Sequence, residues 1–192
     1  MIELFIADVS GIDIESALSR VSEYRRDKAL RCASEALRRQ SLGAELLLYR
    51  ALGGGKSTTY SIAENGKPYF ENGPCFSLSH SGKYAVCAIA DTEVGVDIES
   101  PRGDFEKLAK RFFSEAEYAD IMNSAAPEEQ FCLYWVKRES YIKATGKGLR
   151  ALSEPMIPEY STAHTMYDGY YIGLCVKGES TGNIRLHVEE IA

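Results

Sequence analysis

The chain has 192 residues, 28 acidic and 22 basic, for a formal net charge of −6. Its 45% hydrophobic and 26% charged residues are the composition of a soluble globular protein. The acidic balance disfavours general nucleic-acid binding, and no run approaches the roughly 20 consecutive apolar residues of a membrane span.

The opening "MIELFIADVS" carries acids early, lacks the basic start of a secretory leader, and reads as a first strand over residues 2–9. The expectation is a cytoplasmic protein with no membrane partner. A helical stretch follows from about Asp13 to Leu52, broken once or twice, and stops at the glycines of 53–55. Seven of the 22 basic residues fall in it between Arg20 and Arg39. This local patch reads either as a solvated helix face or as a place for a small anionic ligand. "NGKPYF" (65–70) is a turn into a short extended piece, with its backbone fixed by Pro68. "CFSLSHSG" and "KYAVCAIA" form two strands with a tight connection, and "EVGVDIE" follows as a third.

Residues 105–122 are helical, with a restart at Ser114, where S-x-x-E places Glu117 in a capping box. Pro127 opens the next helix, which Gly146 or Gly148 ends. "DGYYIGLCVKG" and "NIRLHVEEI" are two further strands. The five cysteines (Cys32, Cys75, Cys87, Cys132, Cys175) are scattered and argue against disulfides or a zinc site, with Cys87 and Cys175 as core thiols. Each half of the chain carries helices and then a strand pair, "GKYAVCAIAD…GVDIE" and "GYYIGLCVKG…IRLHVEE". This suggests an α+β fold of two similar halves, 1–92 and 93–192, related by an approximate twofold with a ligand cleft between them.

In "GVDIES", alternation along the strand puts Val94, Val96 and Ile98 on one face and Gly95, Asp97 and Glu99 on the other. Two carboxylates so placed call for a counter-charge. In the helix from Glu128 to Thr145, Phe131, Trp135 and Ile142 form an apolar stripe, with Glu139 at its edge and Lys143 one turn on. Glu139 either pairs locally with Lys143 or meets Asp97 and Glu99 around a cation. Three oxygen-only ligands suit a hard metal such as Mg²⁺ (or Mn²⁺) shared with substrate phosphates. His80 and its flanking serines point to opposite strand faces, so phosphate contact by His80 and a serine suits "SLSHSG" better than a Ser-His nucleophile, with turn chemistry the alternative.

In this order the segments resemble the 4′-phosphopantetheinyl transferase superfamily, in its longer, Sfp-type branch. "NGKPYF" is similar to the family's G-K-P segment, "FSLSHSG" to its S-H-S motif, "GVDIE" to G-I/V-D-I/V-E, and "RFFSEAEY" to F-F-S-x-x-E-Y. "WVKRESYIKATGKGL" resembles W-x-x-K-E-S/A-x-x-K-x-x-G-x-G-L/I, except that Arg138 stands where the family usually has lysine. The resemblance implies transfer of the phosphopantetheine arm of coenzyme A to a serine of an acyl or peptidyl carrier protein, with release of adenosine 3′,5′-bisphosphate. It implies metal ligation by Asp97, Glu99 and Glu139, and a phosphate contact by Lys143. It implies nucleotide contacts by Arg39, Lys67, Pro68, Ser79 and His80, with the basic residues around Arg25 and Lys28 at the same end. Glu139 or Glu117, directly or through a bound water, is the expected base, and a monomer is the expected form. A magnesium-dependent phosphohydrolase and a non-catalytic module binding coenzyme A or a carrier protein are the alternatives.

Overall fold

The computed structural model describes residues 1–54, 59–178, 181 and 183–191. Strand β1 (Ile2–Asp8) leads into three helices, α1 (Ile14–Arg20), α2 (Glu23–Leu30) and α3 (Glu35–Ala51). Each helix starts where a polar side chain takes a free backbone N–H: Asp13 accepts from Ser16 N, Ser22 from Arg25 N, and Ser34 from Leu37 N. These caps are why the helical stretch breaks twice. Short strands β2 (Ser61–Ile62) and β3 (Pro68–Tyr69) pair around the "NGKP" turn, and β4 (Cys75–Ser81) and β5 (Tyr84–Ala90) form a hairpin.

Next come β6 (Val94–Glu99), α4 (Glu106–Phe112), α5 (Glu115–Asn123) and α6 (Pro127–Thr145). Helix α6 begins on Pro127 and ends on Gly146, whose left-handed φ of 68° closes the helix at little steric cost. A short 3-10 segment (Leu149–Ser153), β7 (Tyr160–Tyr167), β8 (Tyr170–Lys177) and β9 (Ile184–Glu189) complete the described chain.

Two sheets carry the fold, in the orders β4-β5-β1-β9 and β6-β8-β7. Their facing sides share one core, in which Ile2, Leu4, Ile6, Val86 and Ala88 meet Val94, Val96, Ile98, Ile172 and Leu174. Helices α1 to α3 cover the outer side of the first sheet, where Leu42, Leu46 and Leu47 of α3 share a core with Phe76 of β4. Helix α6 covers the second sheet, giving four layers, helix, sheet, sheet and helix. Ile98 is fully buried, as a residue that fixes the strand's register must be.

The strand pairs expected from the sequence are not hydrogen-bonded pairs. β5 and β6 lie in different sheets, β8 pairs with β6 and with β7, and β9 crosses the 92/93 division to run parallel to β1. Strand β7 has no counterpart in the sequence reading.

Helix α6 sits close to its sheet because the strands beneath it carry glycines. A Cβ on Gly95 would overlap the Ser140 carbonyl oxygen, and one on Gly173 the Val136 carbonyl. Backbone cannot move aside as a flexible side chain can. Gly95→Ala is therefore expected to lose about 3 kcal/mol, the upper end of overpacking costs, read as a lower urea midpoint at unchanged slope.

Candidate active site

The site lies where β4 of the first sheet runs beside β6 of the second. Three serines on one face of β4 bridge the sheets. Ser77 Oγ accepts from Val96 N at 3.1 Å, Ser79 Oγ donates to Asp97 Oδ1 at 2.8 Å, and Ser81 Oγ donates to Glu99 Oε2 at 3.0 Å. The period of two in "FSLSHSG" thus orients the acidic face of "GVDIE".

A pocket of about 450 Å³ opens beside this junction. Its acidic wall is Asp97, Glu99 and Glu139; Lys143, Arg25, Lys28 and Arg102 bring positive charge, and Ser79, His80, Pro68 and Trp135 add further walls. The counter-charge at the strand acids is the Lys143 ammonium, 2.7 Å from Asp97 Oδ1 and 2.8 Å from Ser79 Oγ. It does not satisfy the acids fully. Asp97 Oδ2 is buried without a hydrogen-bond partner, a costly arrangement for a carboxylate.

Glu139 is pushed up to about 7 by burial and by the Asp97 charge, with Lys143 pulling the other way. Glu99 is raised as well, by burial and then by Asp97. At the other end burial, then Lys143, Arg25 and Lys28, drives His80 down to about 4, and it is neutral at pH 7. Burial and the neighbouring Arg25 also lower Lys28. The pocket therefore has a deficit of positive charge at its acids and an excess at its basic end. Among the described residues, no group of three or more carboxylate, imidazole or thiol side chains is arranged to hold a metal ion.

Other residues singled out in the sequence lie elsewhere. Glu117 caps α5, accepting from Ser114 N and Oγ, both at 2.8 Å, and pairs with Arg138 at 2.6 Å. Burial opposes its ionisation, but Ser114 and Arg138 outweigh that and hold it below the usual range. Glu117 lines two neighbouring grooves with Arg138 and Met156 instead of the Asp97 pocket. Arg138 also donates to Glu154 O at 2.6 Å, so this arginine serves Glu117 and Glu154 with one planar fork. Arg39 donates to Ile12 O at 3.1 Å and pairs with Glu35, and is not part of the pocket wall. Lys67 turns its ammonium to the Ala144 and Val94 carbonyls, while the adjacent Pro68 lines the pocket.

Sequence reasoning missed Arg102, which follows the acidic strand just after Pro101 and enters the pocket wall near Trp135. It also missed Glu45, fully buried beneath Arg25. A lone acid inside "SLGAELLLY" is the signal that could have found it.

A profile described as the 4′-phosphopantetheinyl transferase superfamily matches residues 93–166. A "4′-phosphopantetheinyl transferase" of Bacillus subtilis is 33% identical over 151 residues, which are 73% of this chain and 67% of that protein. The 4′-phosphopantetheinyl transferase Sfp of Bacillus subtilis strain 168 is 39% identical over 94 residues, 47% of this chain and 42% of that protein. The 4′-phosphopantetheinyl transferase HetI of Nostoc is 40% identical over 106 residues, 50% of this chain and 44% of that protein. The chain thus matches two thirds of the first relative's length and under half of the other two.

Proposed function

This chain is an enzyme of the 4′-phosphopantetheinyl transferase superfamily, and from that premise we propose that it moves the phosphopantetheine arm of coenzyme A onto a serine of an acyl or peptidyl carrier protein, releasing adenosine 3′,5′-bisphosphate. The observation that carries this reading is the division of one pocket into an acidic wall and a cationic end. A pyrophosphate attached to a phosphorylated nucleoside needs both a shared cation and fixed positive charge. We assign Asp97, Glu99 and Glu139 as the residues that would hold Mg²⁺ or Mn²⁺. The unpartnered Asp97 Oδ2 and the raised Glu99 and Glu139 leave this wall short of positive charge, which supports the assignment, and the oxygen-only donor set suits a hard ion. Such an ion, when bound, neutralises charge developing on the departing bisphosphate.

The chain's own residues do the rest. Arg25, Lys28 and Lys143 neutralise phosphate oxygens, neutral His80 donates a hydrogen bond, and Ser79 holds Lys143 and Asp97 in register. Pro68 and the turn it shares with Lys67 wall the nucleotide side. Arg39 contacts the nucleotide phosphates in this proposal by turning away from Ile12 O and Glu35, its partners in the structure. Glu139, on the pocket wall beside the acids of β6, accepts the proton of the incoming serine hydroxyl, directly or through a bound water. Glu117 is committed to Ser114 and Arg138 and supports the helix from which Glu139 projects. The protein acts as a cytoplasmic monomer of two related α+β halves, with the site in the cleft between them. Among the described residues no helix is long and apolar enough to cross a membrane.

Incubation of a carrier-protein panel with coenzyme A and Mg²⁺, followed by intact-mass measurement, tests the proposal. Gain of one phosphopantetheine mass by at least one carrier is the expected result. Release of bisphosphate without any carrier would instead indicate a phosphohydrolase, and tight coenzyme A binding without product a binding module.

A further inference from the structure

The resemblance to the family implied a ligand contact for Lys67, yet its ammonium is spent inside the protein. It donates to the Ala144 carbonyl at 2.6 Å and to the Val94 carbonyl at 3.4 Å. Ala144 lies in the last turn of α6, where carbonyls have no partner further along the helix and where the macrodipole favours a positive charge. Val94 is the first residue of β6. Asn65 extends the same attachment, donating from Nδ2 to Gly146 O at 2.8 Å.

The turn that presents both side chains is itself tied together. Lys67 N donates to Asn65 Oδ1 at 3.0 Å, Ala63 N to Lys67 O at 3.0 Å, and Gly66 N to Ala63 O at 2.8 Å. Gly66 takes φ +84°, which a side chain would resist. Burial lowers the Lys67 pKa, the cost of holding an ammonium here, and two backbone carbonyls receive it. The two elements joined are the two that carry the acidic wall. β6 bears Asp97 and Glu99, and α6 bears Glu139 and Lys143, the last adjoining Ala144.

We propose that Lys67, supported by Asn65, is a positioning residue that pins the end of α6 to the start of β6 and so sets the spacing between Asp97 on the strand and Lys143 and Glu139 on the helix. Only the activity arm of the test rests on the transferase reading. A displacement on the scale of 1 Å at reacting groups is enough to lower a rate steeply while leaving remote ligand contacts intact. Lys67 should therefore act on kcat, whereas a phosphate contact would act on KM.

Lys67→Met is measured by amide hydrogen exchange and by steady-state kinetics with coenzyme A and an unmodified carrier protein that the wild type accepts. Faster exchange at residues 142–146, with kcat down about tenfold and KM for coenzyme A within about twofold, is the expected result. Asn65 is exposed, and Asn65→Ala should shift exchange and kcat in the same direction by less; it carries the test if Lys67→Met does not fold. Unchanged exchange and kcat, or a raised KM at wild-type kcat, would overturn the proposal. A wild-type protein that transfers nothing counts against the transferase reading alone, since exchange in the variants still decides the clamp.

Discussion

Glu139→Gln lowers the rate of carrier-protein modification by roughly 10²- to 10⁴-fold, the usual contribution of a positioned base, while the protein stays folded. The side chain keeps its shape but can neither accept the serine proton nor contribute a negative ligand. Stability should not suffer in metal-free protein, because the carboxylate it replaces is raised by burial and by repulsion from Asp97. The sign follows from linkage. A carboxyl raised in the folded state contributes its stability fully below its unfolded pKa, and that contribution is lost as pH rises through about 7. The wild type should therefore lose stability across this interval in chelator, and Glu139→Gln should lose less.

Asp97→Ala gives a second measurement of the same wall. It should abolish both transfer and the rise in melting temperature that added Mg²⁺ gives the wild type. Glu117→Gln separates the two base candidates. It frees Arg138 from its ion pair and should cost stability, with a smaller loss of rate than Glu139→Gln. A reversed order of the two rates would move the base to Glu117.

The parts of this site that are local in sequence were legible before the fold was known. The alternation in "GVDIES" named the acidic face, and helical spacing placed Glu139 one turn before Lys143. Pro127 and Gly146 marked the ends of α6 because each has a backbone reason to stand there. What was not legible depends on partners distant in the chain. β9 reads as a strand from its own pattern, but nothing in that pattern says that it pairs with β1. β7, "YSTAHTMY", lies at the edge of its sheet and has few aliphatic residues, so its alternation is weak. The resemblance alone implied a ligand contact for Lys67, and its turn offers no hint that a helix end 77 residues later will meet its ammonium. Arg138 looked like a departure at the site, and its role emerged only with Glu117 and Glu154 beside it.

Removing Glu45 should be among the most damaging single changes in the molecule, although it touches no substrate. Its carboxylate has no solvent exposure and accepts from Ser22 N at 2.6 Å, Tyr49 OH at 2.6 Å, Arg25 Nε at 3.1 Å and Tyr60 OH. Arg25 is itself 5% exposed. Glu45→Ala therefore leaves an arginine charge buried without its partner, at a cost of about 3–5 kcal/mol. Burial alone would raise the Glu45 pKa, but Tyr49, Tyr60, Ser22 and Arg25 outweigh it and hold it below the usual range. A depressed carboxyl stabilises the fold above its unfolded pKa of about 4.3, and that contribution disappears as pH falls through the lower folded value. Urea midpoints measured from neutral to acid pH should fall for the wild type in that window and change less for Glu45→Gln. Arg25 also lines the pocket, so stability and ligand binding can be separated in a paired variant. Glu45→Leu combined with Arg25→Leu removes both charges from the interior and should recover much of the lost stability. It should leave KM for coenzyme A high, because the guanidinium that lines the pocket is gone. If the double variant binds coenzyme A as the wild type does, Arg25 serves the fold alone, and the cationic end of the pocket reduces to Lys28, Lys143 and Arg102.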